Sequence, residues 1–327
     1  MSKKTVIQIL KWVVSIGLIS LLYSRIKWSE FLAMLTDSSP VYLLLAVVVI
    51  AFNTLFCSYK WKLFLKADSL DQPLGQLTVS YMIGSFVSLF LPSNIGGDSY
   101  RVYDLGTRTK QGVRSFTSVF ADRFSGFLAL SLIGLVGGLS GYALLKDKSV
   151  IAILVLFLAL IVMMLILIID PRFVRFCLKL SRLDHIGAIS KSHQSFVETF
   201  QRYGGNWKLV CAVMVLSVLF HLGYISVIFL YNHFLGLGYP FFVFVVFVPI
   251  IALVEALPIS IYGIGIRDGA YVYFFAQVGM AAEQALGLAL VHLVMNMLFA
   301  STGGILLLFR KSAKRNASEL PEQVSNG

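Results

Sequence analysis

The chain has 327 residues, 58% hydrophobic and only 13% charged, with a formal net charge of +11 and a mean hydropathy of +0.84. So few charges cannot cover a soluble globule of this size, and the composition is that of a polytopic membrane protein. The positive charge lies between apolar runs and in the C-terminal tail, which argues against a nucleic-acid partner and matches the pattern that orients membrane helices.

The first apolar run, at about 5 to 24, follows Lys3 and Lys4 and ends at Tyr23, Ser24 and Arg25 with no small-residue cleavage pattern. It reads as an uncleaved first span rather than a signal peptide. Further runs of spanning length occupy about 41 to 65, 115 to 145, 150 to 169, 207 to 234 and 285 to 309. Each suffices to cross a hydrocarbon core of roughly 30 Å. Two more runs, 74 to 97 and 241 to 280, are broken by "LPSNIGGDSYR" (91 to 101) and "LPISIYGIGIR" (257 to 267).

Basic residues gather at Lys3, Lys4 and Lys11, at Lys60, Lys62 and Lys66, at Arg101, Arg108, Lys110 and Arg114, throughout 172 to 208, and from Arg310 to Arg315. Such clusters belong on the cytoplasmic side. If those flanking 74 to 97 are both cytoplasmic, that segment enters and leaves the membrane on one side. The same reasoning makes 241 to 280 a hairpin entered from outside, with both termini cytoplasmic. The bends are expected at Pro92, Gly96 and Gly97 and at Pro258, Gly263 and Gly265, because proline removes a backbone donor and glycine relaxes the helix. Broken backbone is tolerated at membrane depth only where protein or a water-filled cavity satisfies it.

Aligned without gaps, the two broken stretches match Leu91 with Leu257, Pro92 with Pro258, Ile95 with Ile261, Gly97 with Gly263 and Arg101 with Arg267, while Asn94 faces Ser260. Span, hairpin, span at 41 to 145 then relates to span, hairpin, span at 207 to 309 as an inverted repeat, the sequence pointer to a transporter's central site. The expected fold is all-α and polytopic, with about six full spans and two re-entrant helical hairpins in one domain over 1 to 310, followed by a polar cytoplasmic tail at 311 to 327. Between the halves, Arg172, Arg175, Lys179 and Arg182 recur at helical spacing beside Phe173, Phe176, Leu180 and Leu183. That pattern suits a helix lying on an anionic leaflet.

"LPSNIGGDSYRVYDL", "SVFADRFSGFLALSLIGLVGG" and "LPISIYGIGIRDGAYVYFF" resemble the flippase-like transmembrane domain of the lysylphosphatidylglycerol synthase family, over about 5 to 310. The resemblance implies a lipid transporter of the cell membrane that moves an aminoacylated phospholipid between leaflets, with a separate lipid-modifying enzyme as partner. The chain stops at Gly327 after a short tail, so transport rather than lipid aminoacylation is expected. No cofactor is expected: the three cysteines, Cys57, Cys177 and Cys211, show no paired or metal-binding spacing, and there is no nucleotide-binding motif.

An ionisable residue inside an apolar run is a functional candidate, since a charge at the centre of a spanning helix costs roughly 2.5 to 3.5 kcal/mol. Arg101, Arg123 and Arg267 are the candidate phosphate ligands, a planar guanidinium being able to hold two phosphate oxygens. Asp98, Asp122, Glu255 and Asp268 would orient those arginines or meet a cationic head group. Asn94, Ser260 and His292 complete the candidate substrate site. Against this stands a structural reading in which Arg101 and Arg267 snorkel to the interface and Asp122 with Arg123 forms a pair between helices. After the second hairpin the family's expected arginine is replaced by His292 and Asn296, so the two phosphate sites need not be symmetric. The pairs Gly134, Gly138 and Gly137, Gly141 are expected to serve close helix packing. Two other functions compete with lipid transport: an integral-membrane enzyme acting on a lipid phosphate, and a small-solute secondary transporter.

Overall fold

The computed structural model describes residues 38–90, 95–142, 149–169, 187–256 and 263–319. The first expected span, the basic helix at 172 to 183, and Pro92, Asn94, Pro258 and Ser260 lie outside the described residues.

The described residues form helices and connections, with no strand among them. In chain order the helices are α1 (Val41–Ala67), α2 (Leu74–Ser88), α3 (Ile95–Thr109), α4 (Gly112–Ser140), α5 (Ser149–Ile169), α6 (Gly187–Gly205), α7 (Trp207–Phe234), α8 (Phe241–Glu255), α9 (Ile266–Phe275) and α10 (Ala282–Glu319). α1, α4, α7 and the part of α10 up to Arg310 are long and apolar enough to cross a membrane. They answer to four of the six expected spans. Lipid supplies no backbone hydrogen bonds, so an apolar chain satisfies its amides within helices.

Both broken runs form helix pairs. α2 and α3 pack antiparallel: Arg108 of α3 donates to Gln76 of α2 at 2.6 Å, and Gly97 donates its N–H to Ser88 Oγ at 2.8 Å near the break. α8 and α9 pack likewise, with Phe247 against Phe274 and Phe275, and Glu255 against Gly263. One expectation is corrected. Gly96 and Gly97 are not in the bend but in the first turn of α3, where the small size of Gly97 lets the helix close on α2. A Cβ on Gly97 would lie 2.6 Å from the Gly84 carbonyl oxygen. Gly263 and Gly265 do lie at the second break, with φ of +72° and +86°.

Helix packing in lipid depends on close backbone approach at small residues, and three contacts of this kind join the early part of the chain to the late part. α1 meets α7 where a Cβ on Gly223 would fall 2.3 Å from Asn53. α4 meets α8 where a Cβ on Gly137 would fall 2.8 Å from the Val245 carbonyl oxygen, and α2 meets α10 where one on Gly303 would fall 2.0 Å from that of Met82. Gly134 packs against Pro249 and Leu154, and Gly141 against Val246, so the expected packing role of these glycines holds.

Ion pairs tie the helix ends. Asp68, fully buried just beyond α1, accepts from Arg114 of α4 and Arg202 of α6, both at 2.6 Å. Asp104 of α3 pairs with Arg108 at 2.9 Å and with Arg310 of α10 at 2.5 Å.

Candidate functional site

α1, α3 and α4 converge on a cluster of five charges, Lys60, Asp98, Arg101, Asp122 and Arg123. Asp122 is buried; its two oxygens lie 3.1 Å from Lys60 Nζ and 2.9 Å from an Arg101 nitrogen. Arg101 also meets Asp98 at 3.2 Å, and its guanidinium lies 4.2 Å from the centroid of Trp61 and 4.9 Å from that of Tyr81. Desolvated cation–π contacts of this kind contribute about 2 kcal/mol. Asp98 holds Arg123 through its second oxygen. Lys60 further donates to the Asp122 carbonyl at 3.0 Å and to Ser217 of α7 at 3.2 Å.

Asp122 and Arg123 thus find separate partners, as neighbours on a helix about 100° apart must. Arg101 is only 2% exposed, so it does not snorkel. Lys60 departs from expectation. Grouped in sequence with Lys62 and Lys66 as a cytoplasmic cluster, it instead points inward and is buried at 3% exposure, because Asp122 offers it a carboxylate.

The second cluster is built on α9. Arg267 is fully buried and bonds Asp268 through two nitrogens, at 3.2 and 2.8 Å. Asp268 accepts the Gly265 N–H at 3.0 Å with its other oxygen, which closes the first turn of the helix. His292 of α10 lies between the hydroxyls of Tyr224 and Tyr271, at 3.5 and 3.4 Å. Glu255 packs so tightly on Gly263 that a Cβ there would fall 2.5 Å from its Cγ. With its positive φ, position 263 excludes other residues on both counts.

Between the clusters lies a cavity of ≈ 770 Å³, reached by side chains of α1, α2, α3, α4, α7, α8 and α10. Of the sequence-predicted site residues, Asp98, Asp122, Arg123, Glu255 and His292 are on its wall. Arg101, Arg267 and Asp268 are not; Arg101 sits behind it and binds Asp98 and Asp122, which are, whereas Arg267 and Asp268 bind each other. Arg123 is the cation of the first cluster that stands open, its side chain 42% exposed against 4% for Lys60 and 3% for Arg101. The Gly97 and Gly265 amides are already used by Ser88 and Asp268, so neither is free to receive an anion. His221 bonds the Gly126 carbonyl at 2.9 Å and links α7 to α4.

Sequence reasoning missed Lys60, Trp61, Tyr81 and Tyr224. A lysine within the apolar run "FCSYKWKLF" was the available signal for the first; nothing local marks the three aromatics.

Fold and site together define a polytopic helical membrane protein with a charged internal cavity assembled from both ends of the chain. The family described as the lysylphosphatidylglycerol synthase TM region matches residues 8–304, and the chain belongs to it. No curated protein gave a match.

Proposed function

We propose that this protein is a flippase-like transporter that carries a phosphate-bearing lipid, such as an aminoacyl-phospholipid or a polyprenyl-phosphate-linked lipid, between the leaflets of the cell membrane. The observation that carries the reading is Arg123, a guanidinium on a membrane-spanning helix, open to an internal cavity and held there by Asp98. With the cavity empty, Asp98 neutralises Arg123; a lipid phosphate offers two oxygens to the same guanidinium and competes for it. Arg101, pinned to Asp98 and Asp122, positions that exchange from behind. Acyl chains stay in the bilayer while the head group occupies the cavity.

The two helix pairs act as re-entrant hairpins of an inverted repeat, with both termini cytoplasmic. Supporting this, exchanging α1 with α7, α2 with α8, α3 with α9 and α4 with α10 maps the α2–α10 contact onto α8–α4, and α1–α7 onto itself. Rocking of one half against the other then exposes the cavity to each leaflet in turn. A separate lipid-modifying enzyme would supply the substrate.

The test is movement of fluorescent phosphatidylglycerol, polyprenyl phosphate and a neutral lipid in proteoliposomes, comparing the protein with a folded Arg123→Ala variant. Faster movement of a phosphate lipid, abolished by the substitution, is expected. No movement of any lipid, with or without an ion gradient, sinks the reading and favours an enzyme acting on the same lipids.

A further inference from the structure

The cavity's carboxylates are not alike. Asp98 meets Arg101 and Arg123, and Asp122 meets Lys60 and Arg101. Glu255, at the end of α8, has no lysine or arginine of the described residues within ion-pair distance, although it reaches the same cavity. From α9, Arg267 faces it as the nearest cation but makes its ion pair with Asp268, and the Tyr271 phenol lies beside them. α7 contributes Tyr224, and α10 contributes His292, which lies between the two phenols. From α4, Asp122 and Arg123 share the wall but are engaged elsewhere.

Charge conservation gives this acid a task. In the first cluster three cations, Lys60, Arg101 and Arg123, stand against two carboxylates, Asp98 and Asp122, leaving one positive charge. An ionised Glu255 cancels it, so the empty cavity is neutral. A monoanionic lipid phosphate on Arg123 makes the cavity negative, which is unfavourable in a low-dielectric interior. One proton restores neutrality, and Glu255 is the cavity carboxylate with no lysine or arginine of the described residues at ion-pair distance.

Building on the transport reading, we propose that Glu255 is a proton site that couples anionic-lipid movement to the proton gradient. When a monoanionic lipid enters, one proton adds to a Glu255 carboxylate oxygen to give the neutral acid, with no other bond changed; when the lipid leaves, the proton leaves with it. A lipid whose head group carries its own cation needs no such proton.

The experiment measures proton uptake with a pH indicator as the detergent-purified protein binds short-chain phosphatidylglycerol or zwitterionic phosphatidylethanolamine. About one proton per bound phosphatidylglycerol is expected, with none for phosphatidylethanolamine and none for Glu255→Gln. Should that variant fold poorly, infrared difference spectra of the unmodified protein give the same answer through a protonated-carboxyl band that appears with phosphatidylglycerol only. In proteoliposomes, a gradient of one pH unit should then sustain a roughly tenfold leaflet ratio of phosphatidylglycerol, since one proton moves per lipid. Saturable binding or movement of phosphatidylglycerol without proton uptake, uptake that persists in Glu255→Gln, or a response to sodium in place of protons overturns the coupling and leaves the transport reading standing. Absence of both lipid binding and lipid movement overturns the two together.

Discussion

Asp122 of α4 lies 2.9 Å from Arg101 of α3, 21 residues earlier in sequence, and its other oxygen lies 3.1 Å from Lys60 of α1. One buried carboxylate is therefore shared by cations from two other helices, and all three side chains are 5% exposed or less. Asp122→Ala leaves Lys60 without a carboxylate and Arg101 with Asp98 alone, and is expected to cost about 3–5 kcal/mol of stability. Adding Lys60→Met should recover part of that loss, because one orphaned charge is removed. Thermal unfolding in detergent checks both; an unchanged midpoint for Asp122→Ala would falsify the account of this cluster.

Arg123 shares its cluster but should behave differently. Its side chain is 42% exposed, and pairs of that kind contribute about 0–1 kcal/mol. Arg123→Lys is expected to unfold near the parent temperature yet bind phosphatidylglycerol about tenfold more weakly, since an ammonium cannot grip two phosphate oxygens in a fork. Lipid titration by native mass spectrometry reads the affinity. Parent-like affinity would mean that the guanidinium geometry is not what the lipid uses.

The contact between α2 and α10 depends on Gly303. A methyl group there would meet the Met82 carbonyl oxygen at 2.0 Å, with backbone and no flexible side chain to give way. Gly303→Ala should lower the unfolding midpoint by an amount matching overpacking, about 1–3 kcal/mol. Gly75→Ala is the control: nothing lies within 4 Å of its added carbon, so stability should hold or rise by up to about 1 kcal/mol. Equal responses from the two would remove the case for close approach.

Asp68 anchors α6 to the bundle. Arg202 is half-exposed, so Arg202→Ala is expected to change stability by less than about 1 kcal/mol. Asp68 is fully buried between Arg114 and Arg202, and Asp68→Ala should cost about 3 kcal/mol. Hydrogen exchange should show α6 opening in the second variant much more than in the first. Similar protection in both would place the anchor elsewhere, for instance in the packing of Phe196 and Phe200 on Phe120.

Much of this molecule was written locally. Apolar length marked α1, α4, α7 and α10, because a chain without water must bond its own backbone. The proline and glycine stretches marked the two breaks, charged residues in and beside the apolar runs picked out Asp98, Asp122, Arg123 and Glu255, and the departure from the family pattern picked out His292, all of which line the cavity. Pairing was not legible. Lys60 looks like its neighbours Lys62 and Lys66 until α4 brings Asp122 to it. Nothing in the sequence sets Trp61 and Tyr81 against Arg101, or puts Arg267 behind the wall and Glu255 on it. Hydropathy and backbone chemistry act over a few residues, so the sequence by itself determined which segments are membrane helices, where they break and which carry charge. Which cation neutralises which carboxylate depends on rotations and crossings of helices far apart in the chain, and only the tertiary structure decided it.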